Sequence, residues 1–265
     1  MTLSELMKAV REDPRHVVVP ASWGQGRACF GGLAAALVYQ VMEAKVPVGR
    51  PVRSLAITFV GPLAVDVPVS LEAEVLREGK AVSQVLGRAV QDGRVVTLIQ
   101  GSFGASRASA VRVEAEPAPS LAPLEDCKEL PYIPGVTPEF TQHLAMRWAI
   151  GGLPFSNSMS REMGGWVRMR GDVEREPVTA AEVLALVDAW PPAPLSHLSG
   201  YAPGSSLTWT IEFVQPLPAF DTHEWCRYRA IIEHASDGYG HCAAALWTEK
   251  GELIALSRQT VTVFG

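Results

Sequence analysis

The sequence predicts an α+β protein built from two copies of one unit. Each unit is a central buried helix wrapped by an antiparallel sheet, and the two sheets run together as one. Three observations predict it. A short run of residues recurs in the two halves of the chain. Each half carries one long apolar helix pattern ahead of a series of strand patterns. A proline-rich segment separates the halves.

The recurring run is Ser54-Leu-Ala-Ile-Thr-Phe-Val-Gly-Pro-Leu63, which returns as Thr208-Trp-Thr-Ile-Glu-Phe-Val-Gln-Pro-Leu217. Phe-Val-x-Pro-Leu thus recurs at an offset of 154 residues, matching Phe59 to Phe213 and Pro62 to Pro216. A fixed internal offset marks a duplicated structural unit. Each copy reads as a strand closed by a proline, which has no N–H to give a ladder.

The first helix begins at Phe30-Gly31-Gly32 and runs through Leu33-Ala-Ala-Ala-Leu-Val-Tyr-Gln-Val-Met42 to about Lys45. It is apolar nearly all round, the pattern of a helix buried on most faces. Strand patterns follow the recurring run at Val69–Leu76, Ala81–Gln91 and Val95–Phe103. In the second half Thr179-Ala-Ala-Glu182 is a capping box, and the helix continues to Trp190, where Pro191-Pro192 stops it. Strand patterns follow at Glu224–His234, Gly240–Thr248 and Leu253–Phe264. The last hairpin turns correspond as well. Gln91-Asp-Gly93 matches Glu249-Lys-Gly251 at offset 158, each with the glycine a tight turn favours. Residues 114–138, with Pro117, Pro119, Pro123, Pro131 and Pro134, read as a connector between units at 1–113 and 139–265. A single unit leaves a sheet edge open, and joining two closes it, which gives the duplication a physical reason.

Composition limits the function. Apolar residues make up 48% of the 265 and charged residues 19%, enough apolar surface for a filled core. The net charge of −5 and the absence of a basic stripe argue against nucleic acid as a partner. Cys29, Cys127, Cys226 and Cys242 have no metal-ligand or C-x-x-C spacing and read as buried free thiols, so no metal and no cofactor is expected. The N-terminal residues show no basic region followed by an apolar run, and no stretch reaches the ~20 apolar residues of a membrane span, so the expected location is cytoplasmic.

One residue breaks its local pattern. Leu184, Val187 and Asp188 share a face at i, i+3, i+4 spacing. A carboxylate on an apolar stripe is costly unless paired or used, and desolvation would raise its pKa toward that of a useful base. The alternative is an aspartate in the last helical turn that reaches solvent beside Pro191.

Taken together, Phe30-Gly31-Gly32, Phe59-Val-Gly-Pro-Leu63, Leu76-Arg-Glu-Gly79, Gly164-Gly-Trp-Val-Arg168, the helix bearing Asp188 and the terminal Gly251–Val261 segment resemble the double hotdog fold. The order and spacing are similar to those of the acyl-CoA thioesterase II family and its thioesterase-like relatives, over nearly the whole chain. The resemblance implies hydrolysis of acyl-CoA, with water held by an Asp, a Ser or Thr, and a Gln from the second half. Carried onto this sequence, these are Asp188, Ser206 and Gln259. The segment Ser205-Ser-Leu-Thr-Trp-Thr-Ile-Glu-Phe departs from the family, which tends to show a hydroxyl followed by Asp-His. Thr208 therefore stands beside Ser206 as the alternative hydroxyl. The repeat offers its own check. Ser206 corresponds to Val52 at offset 154, and Gln259 to Gly101 at offset 158, so the polar set belongs to one half only.

Thioester hydrolysis also needs donors for the oxyanion. The Gly31-Gly32 backbone at a helix N-terminus is the candidate, with close helix packing as the alternative. Ala34, Ala35 and Ala36 could make room for an acyl chain or allow tight packing. Arg168, Arg170 and Arg258 are candidates for the CoA phosphates. The resemblance further implies a homo-oligomer. A hydratase on the same fold would need Asp and His five residues apart, whereas His197 lies nine after Asp188. There is no G-x-S-x-G, and Gly24-Gln-Gly26 lacks the rest of a dinucleotide fingerprint. The competing class is a non-catalytic acyl-CoA binding protein on the same fold.

Overall fold

Alternation of apolar and polar residues makes strands, and continuous apolar runs make buried helices, along most of this chain. The computed structural model describes residues 1–171 and 175–264. In chain order it contains α1 (Leu3–Glu12), the two-residue strands β1 (Val17–Val18), β2 (Gly24–Gln25) and β3 (Ala28–Cys29), and α2 (Gly31–Glu43). Then come β4 (Val52–Phe59), β5 (Pro68–Glu78), β6 (Val82–Gln91), β7 (Arg94–Gly104), β8 (Leu144–Ile150) and β9 (Glu162–Met169). The chain closes with α3 (Ala180–Asp188), β10 (Gly204–Phe213), β11 (Cys226–Ser236), β12 (Tyr239–Thr248) and β13 (Leu253–Val263). Helix α1 and strands β8 and β9 were not among the expected elements. The signal for α1 is present, in the Thr2–Glu5 capping box and the buried stripe Leu3, Leu6, Met7 and Val10.

One sheet of eleven strands holds both halves, in the order β1-β5-β6-β7-β4-β10-β13-β12-β11-β9-β8. Strands β4 and β10 carry the recurring run and pair antiparallel at the centre, Thr208 opposite Thr58 and Ile211 opposite Leu55. The sheet reads outward from that junction in the same order on both sides. The registers agree to the residue. Leu55 pairs with Gly101 in the first half as Trp209 pairs with Gln259 in the second. Val52 pairs with Phe103 as Ser206 pairs with Val261, and both ladders shift by a bulge directly afterwards. The offsets of 154 and 158 are therefore offsets of pairing.

Helices α2 and α3 lie on the inner face of this sheet and against each other. The start of α2 meets the end of α3. A Cβ on Gly32 would fall 2.9 Å from the Leu184 carbonyl oxygen, so only glycine permits this approach. Ala34, Ala35 and Ala36 are all buried in the core, which favours the packing reading of that triplet. Leu33, Leu37 and Met42 are fully buried, and each such side chain contributes roughly 1.5–3 kcal/mol relative to exposure.

The proline-rich connector is not a free tether. It runs as a strap over the outer face of the second half-sheet. Trp166 and Trp247 donate their indole N–H groups to the Ala122 and Glu116 carbonyls at 3.1 and 3.3 Å. Arg147 and Arg227 donate to the Leu124 and Pro119 carbonyls at 2.6 and 3.4 Å. Among the described residues no helix is long and apolar enough to cross a membrane.

Candidate active site

Asp188 is the last residue of α3, where the capping box at Thr179 starts a helix that delivers it to the inner face of the sheet. Gln259 sits on β13 and is inward-facing, like the buried Ala255, Ser257 and Val261 at alternate positions. Its side-chain amide donates to Asp188 Oδ1 at 2.7 Å. Ser206 Oγ donates to Gln259 Oε1 at 3.4 Å, a long contact. The structure thus brings Ser206, Gln259 and Asp188 into one chain of hydrogen bonds.

Thr208 does not join it. Trp209, Ile211 and Phe213 point inward and are buried, so Thr208 lies with Thr210 and Glu212 on the exposed outer face. The bulge between Ser206 and Thr208 reverses the alternation and returns Ser206 to the inner side. The structure therefore places Thr208, unlike Ser206, on the face away from Asp188 and Gln259.

The glycine pair reaches Asp188 from the other half. The Gly32 backbone N–H hydrogen-bonds the Asp188 carboxylate. The amino end of α2, with its partial positive charge, faces that anion. A Cβ on Gly31 would lie 2.8 Å from Asp188 Oδ2 and 3.1 Å from the Phe59 ring. Gly31 is thus where backbone, carboxylate and ring converge.

Burial dominates the electrostatics. It pushes the Asp188 carboxyl up from 3.8 to about 7, against the opposing pull of the Gln259 and Gly32 hydrogen bonds. Near neutral pH the group is therefore divided between acid and base forms, as a general base requires. Burial also raises the Cys29 thiol and the Tyr228 hydroxyl, and the Asp188 charge adds to both shifts. All four cysteines are buried and free. Among the described residues no cluster of three His, Cys, Asp or Glu is arranged to hold a metal ion.

Sequence reasoning missed two neighbours of the carboxylate. Phe59 ends β4 and is half-buried beside Gly31, whereas its repeat partner Phe213 is buried. That difference in exposure cannot be seen in a repeated motif. Tyr228, on the inner face of β11, carried no sequence signal of its own. The arginines named for phosphate have other contacts. Arg170 pairs with Glu129 at 2.7 Å, Arg258 pairs with Glu233, and Arg168 lies 4.8 Å over the Trp225 ring.

Comparison with known proteins gives the family and the fold. A family model described as the acyl-CoA thioesterase C-terminal domain matches residues 124–263, and one described as the acyl-CoA thioesterase N-terminal domain matches residues 19–104. No curated protein sequence matches the chain. A protein of unknown function with a hot dog fold from Alicyclobacillus acidocaldarius superposes with a TM-score of 0.81 at 23% identity, covering 94% of this chain and 92% of that one. An acyl-CoA thioesterase II from Mycobacterium marinum superposes with a TM-score of 0.74 at 21% identity, covering 94% and 93%. The chain belongs to the acyl-CoA thioesterase family, in its double hotdog form.

Proposed function

We propose that the chain hydrolyses acyl-CoA thioesters to the free acid and CoA, with Asp188 as the general base. The observation that carries this reading is the chain Ser206–Gln259–Asp188, ending on a carboxyl whose pKa lies near 7. In the proposed reaction, Gln259 and Ser206 orient a water and Asp188 takes its proton as the water oxygen bonds to the thioester carbon. The carbonyl becomes an oxyanion. Gly32 already gives its N–H to Asp188, so the Gly31 N–H at the same helix terminus is the donor nearest to hand for that oxygen. Collapse breaks the carbon–sulfur bond, and the proton held by Asp188 passes to the departing thiolate.

The test is thiol release from acyl-CoAs of graded length, in the parent protein and in Asp188→Asn. A no-substrate control accounts for the four cysteines. Release that collapses in the variant supports the reading. No release from any member, with binding retained, would establish the non-catalytic binding protein instead.

A further inference from the structure

Trp148 on β8 and Tyr228 on β11 both stand opposite Gly165 of the intervening strand β9. Trp190, two residues beyond Asp188, packs against both. Its ring stacks on Tyr228 at 5.0 Å with an interplanar angle of 4°, and meets Trp148 at 4.9 Å with a 58° tilt. Trp190 is 5% exposed and Tyr228 7%.

This aromatic group carries hydrogen-bond donors that no described residue satisfies. The indole N–H groups of Trp148 and Trp190 are buried without a partner among the described residues. The Tyr228 hydroxyl beside them makes no hydrogen bond to a described residue, and it lies within the field of the Asp188 charge. Buried polar groups are nearly always paired, so two unpaired indole donors in one aromatic group call for an explanation. An indole N–H can only donate. The chemical complement of such a surface is an acceptor. An anionic acceptor is disfavoured there by the Asp188 charge and the apolar rings, which leaves a neutral oxygen.

We propose that the acyl half of the substrate lies against Trp148, Trp190 and Tyr228, and that the preferred acyl groups carry a neutral oxygen, hydroxyl or oxo, beyond the thioester carbonyl. This deepens the hydrolase reading and rests on it for the placement of the thioester at Asp188. A plain alkyl chain would cover these donors and leave them unpaired. An oxygenated chain satisfies at least one. A site that holds buried donors discriminates strongly against ligands that lack the acceptor.

The experiment compares kcat/KM for straight-chain acyl-CoAs with members of equal length bearing a hydroxyl or oxo group at successive carbons. The expected result is a preference of roughly tenfold or more for at least one oxygenated member over its plain counterpart. In Tyr228→Phe and Trp190→Phe, which keep a ring in place but remove the donor, that ratio should fall toward one. Equal or better hydrolysis of every plain chain overturns the proposal, and so does a ratio unchanged in both variants. If no thioester is cleaved, the hydrolase reading fails separately. The proposal is then decided by titrating the matching free acids against tryptophan fluorescence. Tighter binding of an oxygenated acid, weakened in Tyr228→Phe, supports it. Equal binding of plain and oxygenated acids overturns it.

Discussion

The two halves of this sheet share strand order, register and even the position of a bulge, yet only one of them holds polar groups at the place where strand and helix meet. In the second half that place is occupied by Gln259 and Ser206, with Asp188 above them. In the first half the corresponding strand positions are Gly101 and Val52. There the Met42 methyl takes up the room. A Cβ on Gly101 would lie 2.7 Å from it and 2.9 Å from Leu55 and Phe103. The duplicated scaffold thus supplies one polar site and one hydrophobic plug. The first half still contributes, because it sends Gly31, Gly32 and Phe59 to the candidate site. The candidate site is built by both halves.

The largest test of this asymmetry is Asp188→Asn. Loss of a positioned general base should lower kcat by about 10²–10⁴-fold, read as thiol release. The parent's rate should rise with pH to a plateau above about 7, as Asp188 loses its proton. Stability should run the other way. The folded-state pKa of about 7 exceeds the unfolded value near 3.8, so the folded protein binds more protons between them. Stability contributed by this group is complete below about 4 and is lost as pH rises through 7, a change on the order of a few kcal/mol. Asp188→Asn removes that slope. It should melt several degrees higher than the parent at pH 8 and lose the advantage toward pH 4, in calorimetry across the range. A variant with the parent's own melting profile would show that the carboxylate is not desolvated as described.

Gly31→Ala comes next. The added methyl would meet Asp188 Oδ2 and the Phe59 ring, and one of them must move. A shift of about 1 Å in a catalytic group can cost on the order of 10²-fold. The loss should appear in kcat, with the fold kept by circular dichroism. The opposite experiment is Gly101→Gln, which places the second half's residue in the first half. It should bring no activity and should destabilise the protein by about 1–3 kcal/mol through overpacking against Met42, Leu55 and Phe103. A fall in melting temperature measures it.

Much of this comparison was legible in the sequence. The repeat fixed the offsets, and the pairing reproduces them because a duplicated ladder keeps its bulge. Asp188 announced itself as a carboxylate on an apolar stripe. What stayed hidden depends on facts that one-dimensional patterns do not carry. What sets Phe59 apart is its exposure, which differs from that of its identical counterpart. Trp148 and Tyr228 come together only through the pairing of three strands, and Trp190 joins them from beyond the end of α3. The connector has the composition of a tether, and its course as a strap depends on indole and guanidinium donors far away in sequence.

The smallest effects test the bulge at Leu207. In a regular strand Ser206 and Thr208 would face the same way, two residues apart. Either hydroxyl could then have served, which is why the sequence alone left both open. The bulge separates them. Ser206 faces Gln259 with a long 3.4 Å contact, and Thr208 pairs across the outer face with Thr260 and Thr58. A neutral hydrogen bond of that length contributes about 0.5–1.5 kcal/mol at most, so Ser206→Ala should lower kcat about three- to tenfold. Thr208→Val keeps the shape and β-branching of the exposed side chain and should change the rate less than about twofold. Parallel kinetics on the two variants distinguish the faces directly. Equal losses would mean that the strand is regular in solution, and a loss confined to Thr208→Val would put the wrong hydroxyl in the site.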